Sequence, residues 1–301
     1  MRFLITGGTG LIGSKLVQKL LEKNHKITVL SRKPSTSVRI LLSTSVLPIN
    51  SLTSISSNTY FDVIINLSGE PIMEKRWTNA YKKALLDSRI GVTQELVNLV
   101  KKMQVKPKCF ISASAIGFYG TSNSISSIHE TDRCGDGFIS SLCARWEQKA
   151  QSMRDLGVPT SIIRIPPVLS ASGGIIQKLL PWYSLNLGCV LGTGKQLFPW
   201  VYIDDLVDAI QFIYNSKNND EVYNVVAPEI TDNKTFSKLF AKRLKRRVFL
   251  RMPALLLKLL LGDATEILTN GQKISSDKLI SAGFNFKYNT LNEALQDMFK
   301  K

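Results

Sequence analysis

Histidine, cysteine and acidic side chains are scarce in this 301-residue chain: it has two histidines, four cysteines and 23 Asp and Glu against 39 Lys and Arg. His25 and His129 are too few to build a metal centre without a cluster of thiols, so none is expected. Cys109, Cys134, Cys143 and Cys189 show neither CxxC spacing nor a disulfide framework, and they read as reduced thiols. Long apolar runs are missing too. The longest near the C-terminus, residues 253–261, is interrupted by Lys258 and is too short to span a bilayer. The first residues resemble no secretory leader, so a cytoplasmic protein without membrane association is expected. The net charge of +16 is spread along the chain apart from a cluster at Lys242, Arg243, Lys245, Arg246 and Arg247. No nucleic-acid-binding motif accompanies that cluster, which reads as a solvated helix face.

What is present is concentrated at the start. An apolar run, residues 1–5, leads into Thr6-Gly7-Gly8-Thr9-Gly10-Leu11-Ile12-Gly13, and then Leu16, Val17, Leu20 and Leu21 recur at helical spacing before a second apolar run at 26–30. This is a βαβ unit whose helix opens directly after the glycines. Their GxxGxxG spacing differs from the best-known GxGxxG fingerprint, but the physics is shared. A tight turn needs positive φ, a diphosphate approaches only bare backbone, and free amides at a helix N-terminus hold the anion. Gly7, Thr9, Gly10, Leu11, Ile12 and Gly13 are therefore expected to line a dinucleotide site. The second strand ends in Ser31-Arg32-Lys33, where NAD sites usually carry a carboxylate for the ribose 2′-hydroxyl. A guanidinium there suits a 2′-phosphate, so NADP(H) is expected over NAD(H), with a solvated basic turn as the alternative.

Residues 61–67 form a continuous apolar run, as expected of a strand buried on both faces of a parallel sheet. Leu67, Ser68 and Gly69 close it with room for a ligand. Residues 82–102 read as one amphipathic helix, and 109–112 as a strand at whose end Ser112 and Ser114 aim hydroxyls into the crevice. Ser114 capping the following turn is the equal alternative. Further strands at 161–165 and 221–226, with helices at 205–214, 235–245, 253–268, 275–282 and 291–300, complete the pattern; Asp204 or Asp205 reads as a helix cap. The fold class is α/β, a doubly wound parallel sheet with a smaller C-terminal lobe. The expected division is 1–165 and 197–226 for the nucleotide-binding domain, with 166–196 and 227–301 for the substrate lobe.

Motifs along nearly the whole chain carry a more specific resemblance. They include residues 66–72, Lys75-Arg76-Trp77-Thr78, Ser88-Arg89, residues 112–120, Ala144-Arg145-Trp146-Glu147, Gly192-Thr193-Gly194-Lys195-Gln196 and Ala282-Gly283-Phe284. In this the chain resembles the extended short-chain dehydrogenase/reductase (SDR) superfamily, within it the atypical epimerase family proteins of the YfcH type. The resemblance implies a Rossmann domain and NADP(H), Arg89 among the cofactor contacts, and Ser114 at the catalytic serine position. It also exposes a departure. Aligned on Glu147, the YxxxK dyad is replaced by Ile139 and Cys143, neither of which can serve as the usual proton-transfer pair. Tyr119 is the nearest replacement acid. The expected function is an oxidoreductase or epimerase-like enzyme on a small polar substrate, carbonyl or sugar-nucleotide-like. A non-catalytic NADP(H) sensor or interaction protein is the alternative, and a homodimer stays open.

Overall fold

The central sheet is parallel throughout and covered on both faces, which is why its strands read as unbroken apolar runs rather than alternating ones. In the computed structural model, which describes residues 1–121, 126–217 and 219–300, seven strands build it. They are β1 (Arg2–Thr6), β2 (Lys26–Leu30), β3 (Leu47–Ile49), β4 (Val63–Asn66), β5 (Cys109–Ala115), β6 (Thr160–Ile165) and β7 (Val222–Asn224). Their spatial order is β7-β6-β5-β4-β1-β2-β3. Thr6 stands opposite both Leu30 and Asn66, so β1 and its two neighbours end level. Strand order reverses between β1 and β4, and at that point the carboxyl ends open a crevice.

The pleat divides the apolar residues between two layers. Phe3, Ile5, Ile65 and Ile111 face Leu16 and Leu20 of α1 (Leu11–Glu22). Leu4, Ile64 and Phe110 point the other way. They pack on Leu96 and Val100 of α4 (Val92–Lys102) and Ala150 of α5 (Phe138–Gln151), which follow α2 (Ser35–Leu41) and α3 (Asn79–Leu86). A third cluster lies outside the sheet. There Ile176 of α6 (Gly174–Ser184) meets Ile203 of α7 (Ile203–Asn215), Phe240 of α8 (Asn233–Arg243) and Leu295 of the terminal helix Leu291–Met298. The C-terminal stretch serves both sides, because Leu279, Phe284 and Phe286 join the sheet core instead.

Several elements differ from the sequence reading for identifiable reasons. The single helix expected over 82–102 is α3 and α4 joined by a π-helical segment, Asp87–Gly91, across which Thr93 Oγ1 donates to the Arg89 carbonyl at 2.7 Å. Such segments gather at functional sites. The helix expected over 253–268 stops as α9 (Ala254–Leu261) at Gly262, whose φ is +63°. Neither Asp204 nor Asp205 caps α7; the cap position is Tyr202 and both acids lie in the first turn. Asp205 instead accepts from the backbone N–H groups of Lys287 and Tyr288, at 2.8 and 3.0 Å.

Those two bonds fasten the C-terminal segment to α7, and burial raises the Asp205 carboxyl pKa although both bonds oppose the rise. Asp205→Ala is expected to lower unfolding stability by about 1–3 kcal/mol, since it strands the buried Tyr288 donor and releases the part-buried Lys287 one. Urea denaturation checks this; an unchanged midpoint would show that the two bonds hold nothing.

Candidate functional site at the strand reversal

The crevice is built first by the turn after β1. Gly7 has φ +71°, and a Cβ there would lie 2.4 Å from the Leu67 carbonyl oxygen at the end of β4. A Cβ on Gly13 would lie 2.2 Å from the Gly7 oxygen, so the turn folds directly onto the first helical turn. Gly10 occupies the cap position of α1 with no side-chain cap, and no acidic residue stands in the first turn. The first amides of the helix are therefore left for an anion. Thr9 is half-buried at the turn, while Leu11 packs on the third cluster and Ile12 on both that cluster and the sheet core, so α1 begins where the two meet. This cradle fits a dinucleotide diphosphate.

Beside it, the other predicted contacts come together. Ser31 is buried and its hydroxyl accepts from the Lys33 N–H at 3.1 Å, which fixes the bend after β2. Arg32 projects from that bend with 92% of its side chain exposed and meets Glu70, 3.3 Å away on the loop after β4. Because β1 lies between β2 and β4, the pair arches over the glycine turn. Leu67 and Ser68 are half-buried and Gly69 is exposed at that edge. Arg89, on the π-helical segment, lies against the Gly69 backbone. It donates to the carbonyls of Glu70 at 3.0 Å and Leu85 at 3.2 Å and has Trp146 5.3 Å from its guanidinium carbon. Burial lowers its guanidinium pKa, the nearby Cys143, Tyr81 and Glu70 acting the other way. No carboxylate pairs with it among the described residues, so it meets the crevice as a cation held by carbonyls.

The end of the crevice around Ser114 differs from the sequence reading. Strand β5 runs on to Ala115, so Ser112 and Ser114 lie inside it rather than beyond it, 1% and 3% exposed. Ser112 Oγ donates to the Ala113 carbonyl at 3.2 Å and Ser114 Oγ to Glu147 Oε1 at 2.6 Å. Glu147 is gripped by Arg164 of β6 through Nε at 2.9 Å and Nη2 at 2.8 Å, with both side chains almost wholly buried. Arg164 Nη1 donates to the Tyr119 hydroxyl at 2.7 Å, and Tyr119 donates to Asn224 Oδ1 at 2.7 Å. Burial pushes the Tyr119 phenol up to about 12, against the pull of Arg164. The two dyad positions face this belt as apolar groups. Ile139 packs on Gly117, and the buried Cys143 thiol is pushed up to about 12 by burial.

Sequence reasoning named Ser114, Glu147 and Tyr119 but not Arg164 or Asn224, which complete their network. The available signal was a lone arginine inside the apolar run of β6, since a buried guanidinium demands a carboxylate. A second polar chain that it missed runs Thr6–Asn66–Thr93, with bonds of 2.6 and 2.8 Å, under the diphosphate cradle.

Comparison with known proteins places the chain in a family. The profile of the NAD dependent epimerase/dehydratase family matches residues 3–226, and that of a domain of unknown function, DUF1731, matches 252–298. An epimerase family protein of Staphylococcus aureus (strain MRSA252) is 33% identical over 305 residues, covering 100% of this chain and 99% of that one. The crystal structure of human epimerase family protein SDR39U1 with NADPH superposes with a TM-score of 0.88 at 29% identity, covering 99% of each chain. A UDP-glucuronic acid 4-epimerase of Bacillus cereus, at 18% identity, has a TM-score of 0.79 over 99% of this chain and 98% of its own, a likeness of fold.

Removing one partner of the buried pair leaves the other charge uncompensated. Glu147→Ala is expected to cost about 3–5 kcal/mol, and Glu147→Met combined with Arg164→Met less than the sum of the two single changes. A double-mutant cycle by chemical denaturation measures the coupling; additive losses would show that the two charges do not support each other.

Proposed function

Since the chain belongs to the NAD dependent epimerase/dehydratase family, we propose that it binds NADP(H) and acts as an SDR-type oxidoreductase or epimerase-like enzyme on a small polar substrate. The observation that carries the reading is the uncapped, carboxylate-free start of α1 beside an exposed Arg32. The NADPH in the human relative's structure supports the same choice. The amides of Leu11, Ile12 and Gly13 hold the diphosphate, and Arg32 leaves Glu70 to meet the 2′-phosphate. An exposed ion pair is worth only about 0–1 kcal/mol, whereas a bidentate phosphate contact is charge-assisted on both sides. Arg89 faces the nicotinamide half from beyond Gly69.

When bound, the nicotinamide supplies hydride transfer at C4. The protein's part is to place a substrate oxygen beside it. Ser114 gives its hydrogen to Glu147, so its remaining lone pairs accept from a substrate hydroxyl or amide. Tyr119 orients Arg164 and the loop, and the proton comes from water. A second reading, binding without turnover, is favoured by the same fact, since both hydroxyl protons are engaged inside the fold and the dyad positions are apolar.

Fluorescence titration with both nucleotides tests the site. Arg32→Gln is expected to weaken NADPH by about 10–100-fold, the range for a hydrogen bond to a charged group, and to leave NADH nearly unchanged. Equal weakening of both would remove the 2′-phosphate role, and no affinity for either would remove the function. A phenol pKa raised to about 12 keeps its proton at every pH below that value, so Tyr119 does not titrate in the neutral range. With any substrate found in a carbonyl and sugar-nucleotide panel, Tyr119→Phe lowers kcat without moving the pH–rate profile. A lost alkaline limb would restore Tyr119 as the acid, and no turnover across the panel would favour the sensor.

A further inference from the structure

More than half of the net charge of +16 is concentrated in a tenth of the chain: between Asn233 and Gly262 there are nine Lys and Arg and no Asp or Glu. The last third of that stretch also turns most of its leucines outward. On α9, Leu255, Leu256, Leu259 and Leu260 are 81%, 44%, 70% and 56% exposed, while Leu257 is buried. Spacings of one and four residues put the four exposed leucines on one face. Phe249, just before, is 76% exposed. Trp182, 59% exposed, belongs to the same region, because Arg246 Nε donates to the Ser184 carbonyl at 2.9 Å and Leu250 pairs in register with Cys189. The helix is fixed in this attitude. Arg76 donates to the carbonyls of Leu259 and Leu260, capping its C-terminal end from the loop after β4.

We propose that this surface, α9 and the basic turn before it, docks the protein onto an anionic lipid bilayer. Among the described residues no helix is long and apolar enough to cross a membrane, so the contact lies in the interface. Charge selects this occupant over a second copy. A symmetric dimer through the patch would set the same cationic stretch against itself, whereas anionic headgroups neutralise it. Leucines select it over nucleic acid, whose phosphates and bases offer them no apolar partner, while the acyl boundary of a bilayer does.

The test is cosedimentation of the full chain with vesicles of phosphatidylcholine containing about one third phosphatidylglycerol, against vesicles of phosphatidylcholine alone. Binding to the anionic vesicles only, weakened by salt, is expected. Arg246→Gln with Arg247→Gln is expected to lower the partition coefficient about 25-fold, roughly fivefold for each charge near the surface. Leu255→Glu with Leu259→Glu is expected to abolish binding while leaving the melting temperature and NADPH titration unchanged, since both side chains are exposed and far along the sequence from the cradle. Equal binding to both vesicle types, no binding, or binding unaffected by the leucine changes would overturn the proposal. So would a dimer, seen by sedimentation velocity, that those changes dissolve, or DNA binding tighter than vesicle binding.

Discussion

The bidentate pair between Glu147 and Arg164 is the constraint on which the crevice depends. It joins α5 to β6 with both groups out of water, and such a pair holds only when its remaining hydrogen-bonding capacity is met. Here it is met by Ser114 on one side and by Tyr119 and the Glu130 carbonyl on the other. The Arg164 guanidinium also lies 3.6 Å from the centre of the Phe118 ring. Burial pulls the Arg164 pKa down, and the hydrogen bonds and charge of Glu147 more than offset it. The Arg164 charge therefore stays on. Everything beside the pair inherits its geometry, including the short helical turn 116–119 and, through Asn224, the edge strand β7.

Because that network takes the protons of Ser114 and Tyr119, the two ends of the crevice have separate physics. The diphosphate end is made of backbone amides and bare glycines, which depend on turn geometry and tolerate changes elsewhere. The other end, around Ser114 and Tyr119, is made of side chains, and the tyrosine and lysine of the YxxxK pattern are absent from it. An isoleucine at position 139 and a buried thiol at 143 fill the volume without offering a proton at neutral pH.

The fold and the diphosphate cradle were legible because they are local. Apolar runs report double burial, and the glycines report a turn, all within a few residues of chain. What escaped was pairing between distant residues. Arg164 stands 17 residues from Glu147 and Asn224 stands 105 from Tyr119, and no periodicity links them. The same holds for Asp205, read as a cap because it opens a helix, yet bound to backbone more than eighty residues later. Nor does sequence distinguish a continuous helix from one relaxed into a π turn. The side-chain bond from Thr93 to the Arg89 carbonyl belongs to that local geometry.

Two Arg–Glu pairs of the same chemistry thus carry opposite roles, and burial decides which. Arg164 and Glu147 are 4% and 5% exposed and 2.8 Å apart, so neither has an alternative partner to turn to. Arg32 and Glu70 are 92% and 32% exposed and 3.3 Å apart, and water screens their attraction. A pair that weak opens at little cost. The buried pair fixes α5 against β6, whereas the exposed one holds its two loops only loosely.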